Sequence, residues 1–207
     1  MTVLNQLSSA LGQRDEKPNQ ELAAKIASKK DHSAVQELVD NLNNSSKAIQ
    51  SDCIKVLYEV GEQAPDLIQQ YDRAFLQLLN SKNNRLVWGA MTALDTISSI
   101  NPKGIYNNLG KILEIADKGS VITKDHTVNI LIKLSTHEKY RNETIPLLLE
   151  QLKISAINQL PMYAERALPV IRSSDMKIFA EVLSDRLNDI EKESKRKRME
   201  KVIRKLT

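Results

Sequence analysis

Residues 85–102 read RLVWGAMTALDTISSINP, and this stretch carries an apolar stripe at the spacing of an α-helix. Ala90, Leu94 and Ile97 recur three and four residues apart, which places them on one face. The same pattern occurs 37 residues upstream in IQSDCIKVLYEVGEQAP, residues 49–65, and both stretches end at a proline. A match of this length without a gap predicts an internal repeat.

Four columns of residues extend the repeat along the chain at the same step of 37 residues. One column is leucine throughout, two contain aliphatic side chains or alanine, and one contains only small residues. The columns are Leu57, Leu94, Leu131 and Leu168; Val60, Ile97, Leu134 and Ile171; Val56, Ala93, Ile130 and Ala167; and Cys53, Ala90, Thr127 and Ala164. A further helix recurs upstream of each copy, with Leu38, Phe75, Ile112 and Leu149 in register. Each unit is therefore predicted to be a helix pair, and the small column is expected to mark a close approach of neighbouring helices.

Stacking of the helix pairs follows from this pattern, because neither helix of a pair can bury its stripe alone. We predict an all-α helical-pair solenoid of about five units in a single domain. Its parts are expected to be capping helices in residues 1–31, four repeats in 32–173, and a helical cap in 174–207 that ends in a basic helix. Pro169 lies within the second helix of the fourth repeat, which predicts a kink or an early end there.

The segment NNRLVWGAMTALDTI, residues 83–97, resembles the second helix of the HEAT repeats. In that pattern a short loop and a basic residue precede an aliphatic residue, followed by Ala and Leu at helical spacing. The resemblance covers about Ala34–Ser173. The loop aspartate frequent in that family is asparagine or serine here, and the basic residue matches only at Arg85, with Ala48 and Ile122 in the corresponding places. Armadillo-like stacking is therefore an open alternative, and the resemblance implies a scaffold or adaptor.

The composition excludes several classes of protein. An apolar share of 41% and a charged share of 27% are typical of folded globular chains. Charges interrupt every apolar stretch, so no membrane-spanning helix of about 20 residues is expected. The single cysteine, Cys53, cannot form an internal disulfide, and the first residues lack a secretory signal, so a cytoplasmic location is expected. Because Cys53 falls in the small column, we expect a buried structural thiol.

The positive charge is concentrated at the end of the chain. Residues 191–207 carry eight Lys or Arg against three Glu, whereas the rest of the chain is close to neutral. Met199, Val202, Ile203 and Leu206 are spaced as one helical stripe, which favours an amphipathic terminal cap. The candidate phosphate contacts are Lys195, Arg196, Lys197 and Arg198. Nucleic-acid binding through this helix and the groove is therefore the alternative function.

No catalytic or metal-binding motif occurs in the sequence, and its three histidines are scattered. We therefore predict no enzymatic activity, no cofactor and no metal. His126 aligns with Gly89 and Asp52 in other copies and is expected to be an exposed surface histidine. HEAT-like DNA glycosylases carry an aspartate one helical turn after a tryptophan, where this chain has Thr92, so that activity is ranked low.

Trp88 is the candidate anchor of a binding surface. Its column reads Ser51, Asp125 and Met162 in the other copies, so the ring is expected at the edge of the apolar stripe. There it either faces a groove or packs against the adjoining repeat. The predicted groove is mixed aromatic and polar, lies on the concave face, and is formed by Trp88, Asp125, Asn129, Tyr163 and Arg166. Since aromatic and Arg residues are the usual anchors of interfaces, we predict a protein or peptide partner.

Overall fold

A computed structural model describes residues 2–206, and the regular structure of these residues is helical throughout. The helices in chain order are α1 (Lys17–Lys29), α2 (His32–Asp40), α3 (Lys47–Gln63), α4 (Asp72–Leu78), α5 (Asn84–Ile97), α6 (Pro102–Tyr106), α7 (Leu109–Lys118), α8 (Val121–Ser135), α9 (Glu138–Ile154), α10 (Leu160–Ala167), α11 (Ser173–Asp185) and α12 (Glu193–Ile203). Short 3-10 turns join several of them, and the first such turn spans Val3–Gln6. The all-α prediction is confirmed. The chain divides into two compact units, with the boundary between Thr127 and Val128 inside α8.

In the first unit, α3 is the central helix and packs against α1 on one side and α5 on the other. Cys53 and Leu57 of α3 and Ala90 and Leu94 of α5 are completely buried, as the apolar columns predict. The two helices come close together at Gly89, where an added Cβ would lie 2.5 Å from Cγ1 of Ile54. Small residues on α3 and α5 therefore set a short distance between these helices.

Polar residues in the loops start the helices of this unit. The Asp31 carboxylate accepts a hydrogen bond from the backbone N–H of Ala34 at 3.0 Å, which caps α2. The Asn83 side chain accepts from the N–H of Arg85 at 3.1 Å and caps α5. These bonds satisfy N–H groups that have no partner within the helix. The Asx and Ser residues between the apolar segments thus fix where each helix begins.

In the second unit, α9 packs against α10 and α11, and α12 packs against α10 and α11. The buried Arg141 of α9 ties these elements together: it donates to the carbonyl oxygen of Val170 at 2.8 Å and forms an ion pair with Asp175 of α11. α10 ends at Ala167 and gives way to a 3-10 turn that contains Pro169. The early end of this helix, predicted from Pro169, is therefore confirmed.

The small column lies inside the protein in both units. Cys53, Ala90, Thr127 and Ala164 all have no exposed surface. Thr127 places its hydroxyl in this apolar setting by donating to the carbonyl oxygen of Thr123 at 2.9 Å. Among residues 2–206, no helix has the length and apolar character needed to cross a membrane.

Candidate functional site

A groove of about 500 Å³ opens in the first unit between the N-terminal segment, α3 and α5. We call it the Trp88 groove, and its lining residues include Ser8, Arg14, Lys55, Arg85 and Trp88. α5 presents Trp88 to the groove because its core face is occupied by other residues. Leu86, Ala90 and Leu94 face the interior, which leaves Trp88 at the edge of the stripe with its side chain half-buried.

Trp88 therefore has both an apolar environment and an open side. Tyr58 of α3 and Ile122 of α8 line the same groove. A partly covered indole ring offers apolar surface and an N–H donor to a ligand at a small cost in conformational entropy. Trp88 thus lines a groove, but the described residues of its lining include none of Asp125, Asn129, Tyr163 and Arg166, with which Trp88 was expected to form one.

Lys55 in the Trp88 groove contacts two carboxylates and an aromatic ring. Its ammonium group lies 2.5 Å from a carboxylate oxygen of Glu59 and 3.0 Å from one of Glu16, and 4.8 Å from the centre of the Tyr58 ring. Burial by itself lowers the pKa of Lys55, but the hydrogen bonds with Glu59, Tyr58 and Glu16 outweigh it and raise that pKa above its ordinary value. Lys55 thus stays charged and holds both carboxylates.

Asp52 organises the N-terminal wall of the Trp88 groove. One oxygen of its carboxylate accepts from the backbone N–H of Ser9 and the other from the side-chain amide of Asn19, each at 2.8 Å. Asn19 in turn accepts from the N–H of Ser8 at 2.9 Å. The segment that precedes α1 is fixed against α3 by these bonds, so the wall is built from residues far apart in sequence.

The structure corrects the expectation for His126, which is not an exposed surface histidine. Its Nδ1 lies 2.8 Å from Oδ2 of Asp95, its Nε2 lies 2.9 Å from the Thr92 hydroxyl, and its side chain is 21% exposed. The Thr92 hydroxyl is also 2.9 Å from the carbonyl oxygen of Trp88 and donates to it. The expectation failed because a polar column in the alignment does not show that Asp95 of α5 faces α8.

Asp95, His126 and Thr92 form the series of carboxylate, imidazole and hydroxyl found in acyl-transfer triads. The environment of the Thr92 hydroxyl differs from that of the nucleophile in such a triad. This hydroxyl lies 2.9 Å from the Trp88 carbonyl oxygen and 2.9 Å from Nε2 of His126, so the carbonyl competes with the imidazole for the hydroxyl proton. Thr92 also lies in the middle of α5, where backbone N–H groups are used within the helix and are not available to stabilise an oxyanion. The bonds among these residues therefore link α5 to α8 and keep Thr92 in place at the groove.

The remaining residues of the predicted partner surface are divided between the two units. Asp125 is half-buried in the first unit. In the second unit, Arg166 donates to the side-chain oxygen of Asn129 at 3.3 Å. Tyr163 is only 2% exposed and packs in the core of that unit, which corrects the expectation that its ring is accessible to a partner. Tyr163 precedes the buried Ala164 on the short helix α10, and both side chains are buried in the core.

The basic terminal helix is engaged within its own unit. Arg198 donates two hydrogen bonds to Glu165, the first at 2.8 Å, and this pairing lowers the pKa of Glu165 below its ordinary value. Lys195 donates to the side chain of Asn158 at 2.7 Å. Lys197 pairs with Glu193, and Arg196 pairs with Glu200. Each of the four candidate phosphate contacts therefore has a partner inside the protein.

Among residues 2–206, no group of three or more His, Cys, Asp or Glu side chains is placed to hold a metal ion. The free thiol of Cys53 is buried, and burial raises its pKa to about 12. The thiol therefore stays protonated at neutral pH and packs as a small apolar group.

No family model matches the chain, and no curated protein matches it. Solved structures match almost all of it. An engineered protein from the Northeast Structural Genomics Consortium is 17% identical, with 100% of this chain and 98% of that chain covered and a TM-score of 0.63. A designed armadillo repeat protein in complex with the peptide (KR)4 is 15% identical, with 99% of each chain covered and a TM-score of 0.65.

A third match, to computationally designed armadillo repeat proteins for modular peptide recognition, has 16% identity, covers 99% of this chain and 98% of that chain, and has a TM-score of 0.64. The chain has an armadillo-like helical-repeat fold. The helical-repeat class predicted from the apolar columns is therefore confirmed, and so is the resemblance to the HEAT and armadillo group. At these identities the likeness concerns the fold.

Proposed function

We propose that this armadillo-like protein is a non-catalytic scaffold that binds a protein or peptide partner in the Trp88 groove. The observation that carries the proposal is the half-buried Trp88, which lines an open groove with Tyr58 and Arg85. Aromatic and Arg side chains provide most of the binding energy in protein interfaces. Two of the similar solved structures are described as binding a peptide or as designed for peptide recognition, which agrees with this use of the fold.

Nucleic acid has weaker support as the partner. The candidate phosphate contacts on α12 are all engaged in hydrogen bonds or ion pairs, such as those of Arg198 with Glu165. These side chains would have to break their hydrogen bonds and ion pairs before binding phosphates. The terminal helix is therefore better explained as a solvated cap. The glycosylase alternative has no support in the environment of Trp88, because Thr92 occupies the position of the required aspartate.

The proposal is tested by selecting ligands from a phage-displayed library of random dodecapeptides with the intact protein as bait. Trp88 is the only tryptophan of the chain, so its fluorescence reports directly on occupancy of the groove. We expect enriched peptides to shift the Trp88 emission, and the Trp88→Ala variant to bind them at least about tenfold more weakly in calorimetry.

A matched control is Ile178→Ala, which removes another exposed apolar side chain, 47% exposed, from α11 in the second unit. Its affinity for the same peptides is expected to stay within about threefold of that of the wild type. The proposal is wrong if no peptide is enriched over the empty matrix, or if Trp88→Ala and Ile178→Ala bind the enriched peptides equally well.

A further inference from the structure

A second depression, of about 630 Å³, adjoins the Trp88 groove and shares Ala48, Ser51 and Arg85 with it. We call it the cationic depression. Three of its lining residues are Lys47, Lys82 and Arg85, and none of the described residues that line it is acidic. Because Arg85 belongs to both depressions, a ligand can extend from one into the other.

The acidic side chains of the Trp88 groove are already used by the protein. Glu16 accepts from Lys55 at 3.0 Å, and both oxygens of Asp52 accept hydrogen bonds from the N-terminal segment. Asp15 accepts from the backbone N–H of Lys17 at 2.9 Å. These bonds leave each carboxylate negatively charged, but Glu16 and Asp52 already have protein donors, so a cationic ligand would have to compete with Lys55 and Asn19 for them.

Four cationic side chains of the two depressions, in contrast, have no partner within the described part of the protein. Within residues 2–206, the charged ends of Arg14, Lys47, Lys82 and Arg85 make no hydrogen bond or ion pair with the rest of the protein, and all four side chains are exposed. The Ser8 and Ser9 hydroxyls also line the Trp88 groove without a hydrogen-bond partner, and Ser8 is only 4% exposed. The accessible unpaired charges of the two depressions are therefore cationic.

The positions of two of these cations are unfavourable in the absence of an anion. Lys47 is the first residue of α3, and Arg85 lies in the first turn of α5, while neither first turn contains an acidic residue. The N-terminus of a helix carries partial positive charge and favours anionic side chains. Placing Lys or Arg there opposes the helix dipole, and a bound carboxylate would relieve that repulsion.

We propose that the Trp88 groove and the cationic depression bind an acidic peptide segment of a partner protein, with an apolar side chain of the peptide against Trp88. This identification of the partner class rests on the function proposed above. Arg14 and Arg85 can each hold a carboxylate with two parallel hydrogen bonds, and Lys47 and Lys82 add point charges.

A nucleic-acid strand fits this surface less well. Phosphate backbones are bound by an extended track of cations. Here the unpaired cations are few, and Asp15, Glu16 and Asp52 lie among them in the Trp88 groove. A regular series of phosphates would be repelled at these carboxylates, whereas a peptide can place acidic residues beside the cations and neutral residues elsewhere.

The test compares three synthetic octapeptides, L(DE)3L, L(KR)3L and L(SN)3L, and a single-stranded RNA dodecamer, by calorimetry and Trp88 fluorescence with the intact chain. We expect L(DE)3L to bind at least about tenfold more tightly than the other two peptides, and its affinity to fall as salt is raised from about 50 to 300 mM. The paired substitution Lys82→Glu/Arg85→Glu is expected to weaken L(DE)3L binding by at least about tenfold.

The control variant is Lys103→Glu/Lys177→Glu, which changes the net charge by the same amount at exposed positions outside both depressions. Its affinity for L(DE)3L should stay within about threefold of the wild-type value. Thermal unfolding by circular dichroism shows whether both variants remain folded. Equal losses in the two variants would overturn the assignment of the acidic segment to this surface.

The outcomes separate the two proposals. Tighter binding of L(KR)3L or L(SN)3L than of L(DE)3L, with a shift of Trp88 emission, would overturn the acidic partner but retain peptide binding. If the RNA binds with a Trp88 response and more tightly than L(DE)3L, the peptide assignment is wrong. If none of the three octapeptides and no peptide from the random library shifts the Trp88 emission, the proposed function itself is wrong.

Discussion

Replacing Gly89 with alanine should destabilise the first unit through a steric conflict between α3 and α5. The new Cβ would lie 2.5 Å from Cγ1 and 3.0 Å from Cγ2 of Ile54, whereas carbon atoms pack at about 3.5 to 4.0 Å. Ile54 is 1% exposed and its clashing atoms are close to the backbone, so the side chain cannot move aside. Overpacking of this kind costs about 1 to 3 kcal/mol.

The higher helix propensity of alanine partly offsets this steric cost. Alanine is favoured over glycine within a helix by about 1 kcal/mol, so the net loss at Gly89 is about 0 to 2 kcal/mol. Gly110 of α7 supplies the matched control, because an added Cβ there meets no atom within 4 Å. Gly110→Ala is expected to be neutral or stabilising by up to about 1 kcal/mol.

The informative quantity is therefore the difference between the two variants, which is expected to be about 1 to 3 kcal/mol in urea unfolding followed by Trp88 fluorescence and circular dichroism. In an Ile54→Ala background the clashing atoms are absent, so Gly89→Ala should become favourable, with a coupling of more than about 1 kcal/mol. The packing argument is refuted if Gly89→Ala is as stable as Gly110→Ala, or if the Ile54→Ala background leaves its effect unchanged.

Three further predictions concern the core, the thiol and the terminal helix. Leu94→Ala removes a completely buried side chain of α5 and should lower the free energy of unfolding by about 2 to 5 kcal/mol, so a loss below about 0.5 kcal/mol would contradict the assigned face. Because burial raises the pKa of Cys53 to about 12, the folded protein should not react with a thiol-specific disulfide reagent at pH 8, and rapid labelling without denaturant would disprove its burial. The hydrogen bond from Arg198 holds the pKa of Glu165 below its ordinary value of 4.5, so the pair stabilises the fold above that value and loses its effect as the pH falls through the depressed pKa. Since both side chains are partly exposed, Glu165→Gln should cost only about 0.2 to 1 kcal/mol at pH 7. This cost should shrink as the pH falls through the depressed pKa of Glu165, whereas a cost that does not change with falling pH would argue against the ion pair.

The core of this protein could be read from the sequence because the helical period places buried residues at fixed spacing. Cys53, Ala90, Thr127 and Ala164 are all buried as their column predicts. The early end of α10 follows from Pro169, whose ring is incompatible with the interior of a helix. These features depend on residues that are near one another in the chain, which is why spacing alone reveals them.

Features that depend on how separate helices are rotated could not be predicted. The contact between His126 and Asp95 joins α8 to α5, and no spacing within either helix indicates it. The sequence predicts an accessible Tyr163, but its side chain follows the small column into the core and is only 2% exposed. Likewise, nothing in the order of residues reveals that Glu16 is paired with Lys55 while Arg85 is left unpaired.

The last helix is attached to its unit by two kinds of force that respond differently to the solvent. Met199 and Val202 are buried, and burial of apolar surface is insensitive to moderate salt. The contacts of Arg198 with Glu165 and of Lys195 with Asn158 lie at the surface, where dissolved ions screen charge. The attachment of α12 to its unit should therefore weaken as ionic strength rises. At higher salt, the backbone amides of α12 should exchange with deuterium sooner than those of α10.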